Sequence, residues 1–283
     1  MKPILHFILA CLLVNSINAQ TGKVPARPLS LDDSAKVAGY WKRANSVRLH
    51  SQQRQMYLDS ALAIEPWNAY YWQQKAMPLS KQMKHELAAP FLDSAVKYDP
   101  KRWLDYRAYM KCIFSKQYRE SLVDFHAALK LNGNSGLMDH PYNFFIGLCH
   151  LQLDNFDSCR YMMQKCIDEK TKQHGAYWTH PLHWFYLGIS WYEQDNFAKA
   201  IESFDAALKL NPTFPDVLYY KALCMQQLGN KKEALALAQQ TDSLLKKGYS
   251  INEDNARYEL YPYQVRKYYL ETTLSRLEQE NLK

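Results

Sequence analysis

The sequence repeats one short phrase, and that repetition limits what the chain can fold into. Leu58-Asp59-Ser60-Ala61-Leu62 precedes Glu65-Pro66, and Leu92-Asp93-Ser94-Ala95-Val96 precedes Asp99-Pro100. Phe204-Asp205-Ala206-Ala207-Leu208 precedes Asn211-Pro212, and Phe125-His126-Ala127-Ala128-Leu129 precedes Asn132-Gly133. Pro66 and Pro100 stand 34 residues apart. Self-similarity at such a period marks an array of small units, none of which can bury its own apolar face alone.

Residues 181–214 show what one unit is. Phe197, Ala200, Ile201, Phe204, Ala207 and Leu208 recur at the three- and four-residue spacing of an amphipathic helix. Before them, Leu182, Trp184, Phe185, Leu187, Gly188, Ile189, Trp191 and Tyr192 make a segment apolar nearly all round, which must be covered on more than one side. Asp195-Asn196 separates the two as a tight turn. Asn211-Pro212 ends the second helix, because the residue before proline disfavours the helical conformation. Small residues at 188, 200 and 207 let neighbouring helices come close.

This segment resembles the tetratricopeptide repeat family. Trp184, Leu187, Gly188, Trp191, Ala200, Phe204, Ala207 and Pro212 stand at the family's characteristic positions. Further repeats are expected to start at 35, 69, 102, 140 and 215. Arg54 replaces a small residue in the first, and Lys42 and Tyr109 occupy the close-packing position of the first and third. Residues 136–139 and 174–180 read as insertions that lengthen loops between repeats. The resemblance covers 35–248 and implies an all-α, right-handed α-solenoid of about six helix–turn–helix repeats. Residues 20–34 read as a linker. In the tail, 249–283, Val265, Tyr269, Leu270, Leu274 and Leu277 follow Pro262 as one apolar stripe, the pattern of a C-terminal capping helix.

The resemblance also implies a use. In this family the first helices line a concave groove that binds protein or peptide segments. Carried over residue by residue, the groove wall comprises Tyr70, Met77, Trp103, Tyr106, Met110, Phe144, Leu148, Phe185, Ile189 and Tyr192. Aromatic and methionine side chains suit such anchoring. Gly39, Gln73 and Tyr106 stand where some members clamp a terminal carboxylate, so that ligand is not expected. The expectation is an exported, non-enzymatic scaffold with a protein or peptide partner, and association with an envelope complex as a variant of the same role.

Export is read from the start of the chain. Lys2, an apolar run from Ile4 to Val14 broken by His6, and Ala19 form a secretory signal peptide over 1–19, cut after Ala19. The run is shorter than the ~20 residues of a membrane-spanning helix, and no later stretch reaches that length, so the mature chain is expected to carry no span. Ile8-Leu9-Ala10-Cys11 offers a lipoprotein alternative, but the apolar run continues past Cys11. A periplasmic or secreted location follows. Six cysteines include Cys11, so five remain after cleavage, an odd number that leaves at least one thiol free or paired between chains.

Chemistry is sparse in the remaining motifs. Gly133 and Gly136 are not followed by the Lys-Ser/Thr of a phosphate loop. His85-Glu86 lacks the second histidine of a zinc-protease helix, since position 89 is Ala. Cys159 and Cys166 fall at packing positions, and no Cys-x-x-Cys exists. The net charge is +7, but no basic run exceeds two residues and acids are interleaved, which argues against nucleic acid. No catalytic set, metal site or cofactor is assigned. The alternative to a scaffold is a metal- or small-molecule-binding protein, including an enzyme, built on the aromatic pocket and the 174–183 region with His174, His180 and His183.

Overall fold

The computed structural model describes residues 27–253 and 255–282. The leader 1–19, its cut after Ala19, and Cys11 lie outside the described residues. Six helical hairpins follow one another. They are α1 (Leu31–Ser46) with α2 (Gln52–Ile64), α3 (Ala69–Ser80) with α4 (His85–Tyr98), and α5 (Pro100–Tyr109) with α6 (Tyr118–Asn132). Then come α7 (Tyr142–Leu151) with α8 (Phe156–His174), α9 (Pro181–Tyr192) with α10 (Phe197–Leu210), and α11 (Pro215–Gln227) with α12 (Lys231–Lys246). A last helix, α13 (Lys267–Asn281), closes the array.

The helix starts are written locally. Side chains of Ser30, Ser51, Asn68 and Asn196 accept the amide N–H three residues on, satisfying donors that a helix start leaves open. Pro100, Pro181 and Pro215 occupy first-turn positions where no amide proton is needed. The hairpin turns of repeats four and five use Asp154 and Asp195 in the left-handed region, at φ 58° and 56°, which short polar side chains tolerate better than most.

Each hairpin packs within itself and then on the next. Within repeat five the contact is close: a Cβ added to Gly188 would lie 2.4 Å from Phe204 Cε1. Gly147 meets Met163 in the same way in repeat four, at 2.7 Å. The first helices α7, α9 and α11 approach one another more closely than their second helices do, so the stack is an α-solenoid concave on the first-helix side. A central core runs from Ala76 in α3 to Cys224 in α11. The first hairpin keeps a cluster of its own around Val37, Leu58 and Leu62. α13 covers the last hairpin, where Leu270 and Leu277 join Tyr219, Ala222 and Ala238.

The structure departs from the sequence pattern at three places. Arg54 sits buried where a small residue was expected. Its guanidinium donates to the Ala44 carbonyl at 2.7 Å, Asn45 Oδ1 at 2.9 Å and Gln74 Oε1 at 2.9 Å, so it pins the first hairpin to the second.

In repeat three, α5 runs into a π turn over Met110–Phe114, which accommodates one extra residue. The small close-packed residue is therefore Ala108, not Tyr109. Ala108 is fully buried, and its carbonyl accepts the Ser121 hydroxyl at 2.8 Å. The start expected at 102 moves one residue earlier along the first helix.

The tail is not helical throughout. Residues 249–253 and 255–266 are non-helical and turn-rich, and only 267–281 form the capping helix.

The two insertions also take definite form. Gly136–Leu137 (β1) pairs antiparallel with His140–Pro141 (β2), and Ala176–Trp178 makes a single tight turn before α9. The five cysteines at 112, 149, 159, 166 and 224 are buried free thiols. Among the described residues no helix is long and apolar enough to cross a membrane.

Candidate functional site

The first-helix side of the stack is already lined with polypeptide, and the polypeptide is the chain's own. The strap, described over 249–253 and 255–266, runs across it between α12 and α13. Tyr186 of α9 donates its hydroxyl to the Pro262 carbonyl at 3.1 Å. Lys116, in the turn after the π segment, donates to the Leu260 carbonyl at 2.8 Å. The Asp216 carboxylate of α11 accepts the Val265 amide at 2.6 Å. Side chains add to this: Asn255 donates to the Tyr109 hydroxyl at 2.8 Å, Tyr263 packs edge-on against Tyr220, and His85 meets Glu259 at 3.2 Å. Ile251 and Tyr261 belong to the central core.

Burial sets the electrostatics. Asp216 is fully buried, and the loss of water raises its carboxyl to about 6, against the Val265 amide that holds it down. Burial likewise pushes the Tyr109 hydroxyl up to about 12 and the Tyr186 hydroxyl well above its ordinary range. These phenols stay protonated and act as donors or acceptors only.

The residues expected to form the open groove wall fall into two groups. Phe144, Leu148, Phe185 and Ile189 are wholly buried, and Met110 nearly so; they are core between hairpins and under the strap, not free wall. Phe144 lies flat on His140, with ring centroids 3.9 Å apart. Phe185 touches Phe204, Phe214 and Tyr220. Trp103 packs back on the second repeat with Ala69 and Ala95, and Tyr106 meets it edge-on. Tyr70 is exposed, and Met77 and Tyr192 are half-buried. Tyr192 lines a cleft of about 670 Å³ beside the strap, together with Tyr118, Gln152, Glu193, Tyr220 and Arg266.

Lys116, Tyr186, Asp216 and the strap itself were not singled out as site residues by the sequence, and Tyr109 stands out there only as a bulky residue at a close-packing position. One signal was present: 258–263 reads Tyr-Glu-Leu-Tyr-Pro-Tyr, rich in aromatics but without helical period. Such a segment needs a surface to cover it.

The histidines also regroup. His174 is exposed and stays apart, near Trp178. His180 and His183 come together instead with His140 of β2 and Glu253 of the strap. His140 Nδ1 lies 3.3 Å from His183 Nε2, and His140 Nε2 lies 3.3 Å from Glu253 Oε2. Burial, with His140 as neighbour, lowers His180 to about 3 and His183 well below its usual value, so both rings are neutral at ordinary pH.

Stacked hairpins of this size and order define an α-solenoid repeat protein. Residues 184–214 match the family model described as tetratricopeptide repeat, and residues 216–241 match a second model of the same description. These matches and the stacked-hairpin fold together support a member of the tetratricopeptide repeat family. Its fold is similar to the crystal structure of PilW, a widely conserved type IV pilus biogenesis factor. The two are 14% identical with a TM-score of 0.59, over 77% of this chain and 96% of that one. A tetratricopeptide repeat protein from Parabacteroides merdae ATCC 43184 is 13% identical with a TM-score of 0.55, over 88% of this chain and 85% of that one. Pseudomonas aeruginosa pilF is 18% identical with a TM-score of 0.52, over 77% and 91%. No curated protein matches the sequence.

Proposed function

We propose that this chain is a non-enzymatic scaffold that holds an extended segment of a partner protein along its first-helix side. One observation carries the reading: that side already accommodates non-helical polypeptide through contacts to its main chain. Tyr186 and Lys116 donate to backbone carbonyls and Asp216 accepts a backbone amide. Such contacts recognise an extended chain whatever its side chains, and side-chain pockets then supply selectivity. The partner segment lies beside the strap, in the cleft at Tyr192, and reaches along the face toward Tyr70. Ringed aromatics supply contact area at low entropic cost. The leader over 1–19 supports an exported protein, in the periplasm or outside, and association with an envelope complex fits that compartment.

The test is selection from a displayed library of random peptides on the full mature chain. Selected peptides are expected to lose about tenfold or more in affinity with Tyr192→Asp, since a charge at an aromatic anchor costs ~1.4 kcal/mol or more. Tyr161→Ala, on the exposed face of the second helix α8, leaves them unchanged. Failure to select any peptide, or binding that ignores Tyr192 and follows Tyr161, overturns the reading. Phe185→Asp is not a usable probe of the groove, because Phe185 is wholly buried and its replacement would disrupt the array.

A further inference from the structure

His140, His180 and Glu253 come from three separate parts of the chain: strand β2, the residue before α9, and the strap. Each offers one ligand atom, and no two of these atoms are more than 4.8 Å apart. We propose that these three side chains bind a divalent transition-metal ion of the zinc type, which fastens the strap to the repeat array.

The geometry between His140 and Glu253 is the first support. A tetrahedral zinc ion about 2.0–2.1 Å from nitrogen and oxygen sets neighbouring ligand atoms about 3.4 Å apart. His140 Nε2 and Glu253 Oε2 stand 3.3 Å apart. The His140 side chain is fully buried, and among the described residues its Nε2 has no hydrogen-bond partner, so Glu253 Oε2 lies at ion-pair distance but off the hydrogen-bonding direction. An ion between two ligands sits off the line that joins them, so a bent approach is what coordination requires. A buried ring nitrogen with no partner is otherwise costly.

The second support is the outer layer. Metal-bound histidines hand their other ring N–H to an acceptor, which fixes the tautomer. His140 Nδ1 faces His183 Nε2 at 3.3 Å, and the His140 ring is held flat against Phe144. His183 is therefore a positioning residue. His180 is the adjustable ligand. Its Nδ1 accepts the Leu182 amide at 3.2 Å, a long cap that the ring gives up when it turns to the ion. Two imidazoles and one carboxylate suit zinc-type ions, with water completing the coordination.

The consequence is mechanical. Glu253 belongs to the strap, and the two histidines belong to the array, so the ion ties a covering segment to the surface it covers.

The experiment titrates Zn²⁺ alone into the full chain, freed of metal with a chelator, by calorimetry, and follows amide exchange of residues 249–266. One Zn²⁺ per chain is expected, with slower exchange in the strap. Glu253→Gln, which keeps size and fold, and His180→Ala each weaken binding about tenfold or more, and His183→Ala weakens it about 10–100-fold. His174→Ala binds as the native chain does. Circular dichroism verifies the fold of each variant. Absence of stoichiometric binding, tight binding that survives Glu253→Gln, or strap exchange indifferent to Zn²⁺ each overturns the proposal and leaves the cluster a packed group of two histidines with a carboxylate at ion-pair distance.

Discussion

Repeats three and five follow the same plan and use it differently. In repeat five, Gly188 stands 12 residues before Ala200 and lets α9 settle against Phe204. In repeat three the residue 12 before Ser121 is Tyr109, which could not fit there. The π turn over Met110–Phe114 absorbs one residue, Ala108 takes the tight place 13 residues before Ser121, and Tyr109 moves to the groove side. There its hydroxyl accepts from Asn255 and lies 3.5 Å from the Tyr261 hydroxyl. The regular repeat spends this position on internal packing, and the irregular one turns a tyrosine outward to hold the strap. An irregularity in the helix thus becomes a contact in the candidate site.

The comparison can be broken first at the aromatic partners of the small residues. Phe204 and Phe125 are both fully buried. Phe204→Ala and Phe125→Ala should each cost about 3–5 kcal/mol in urea unfolding. If Phe125→Ala costs much less, the packing of repeat three is not equivalent to that of repeat five.

A second effect concerns the strap's buried anchor. The folded-state carboxyl of Asp216, near 6, lies above its value of about 3.9 in an unfolded chain. The folded state therefore holds the proton more tightly, and the native chain loses stability as pH rises from about 4 to 6, by roughly 3 kcal/mol at most. Above that window the loss is complete and flat. Asp216→Asn, which keeps the acceptor for the Val265 amide, should remove this slope. Equal slopes in paired urea titrations at pH 4 and 7 would show that Asp216 does not carry it.

Gly188→Ala sharpens the contrast further. Its Cβ would press on the Phe204 ring and cost about 1–3 kcal/mol, read as a lowered Tm. The smallest effect belongs to Tyr109→Phe, which removes one buried hydroxyl contact worth about 1 kcal/mol. Faster amide exchange in residues 249–266, with the exchange of α9 and α10 unchanged, is the expected signature. If exchange rises in the hairpin instead, Tyr109 is a packing residue and not a strap contact.

Much of the scaffold was legible because it is set by local rules. The short phrase recurring at a 34-residue spacing, the turn at Asp195-Asn196 and the helix end at Asn211-Pro212 act within one or two turns of helix. The site was less legible because apolar character does not say which neighbour covers it. Phe144, Phe185 and Ile189 were read as groove wall on their position in the repeat, and hairpin stacking together with the strap buried them. His140 and Glu253 gave no signal, since 113 residues separate them in sequence.

The order of helices, their spacing and the need to stack follow from the sequence alone, because a hairpin with an apolar first helix and a one-sided second helix is stable only against its neighbours. The tertiary structure alone decided where the non-periodic stretch 249–266 lies, which tyrosine faces it and which histidines meet. Those outcomes depend on distant surfaces and on one residue absorbed in a π turn, and neither is encoded in any local pattern.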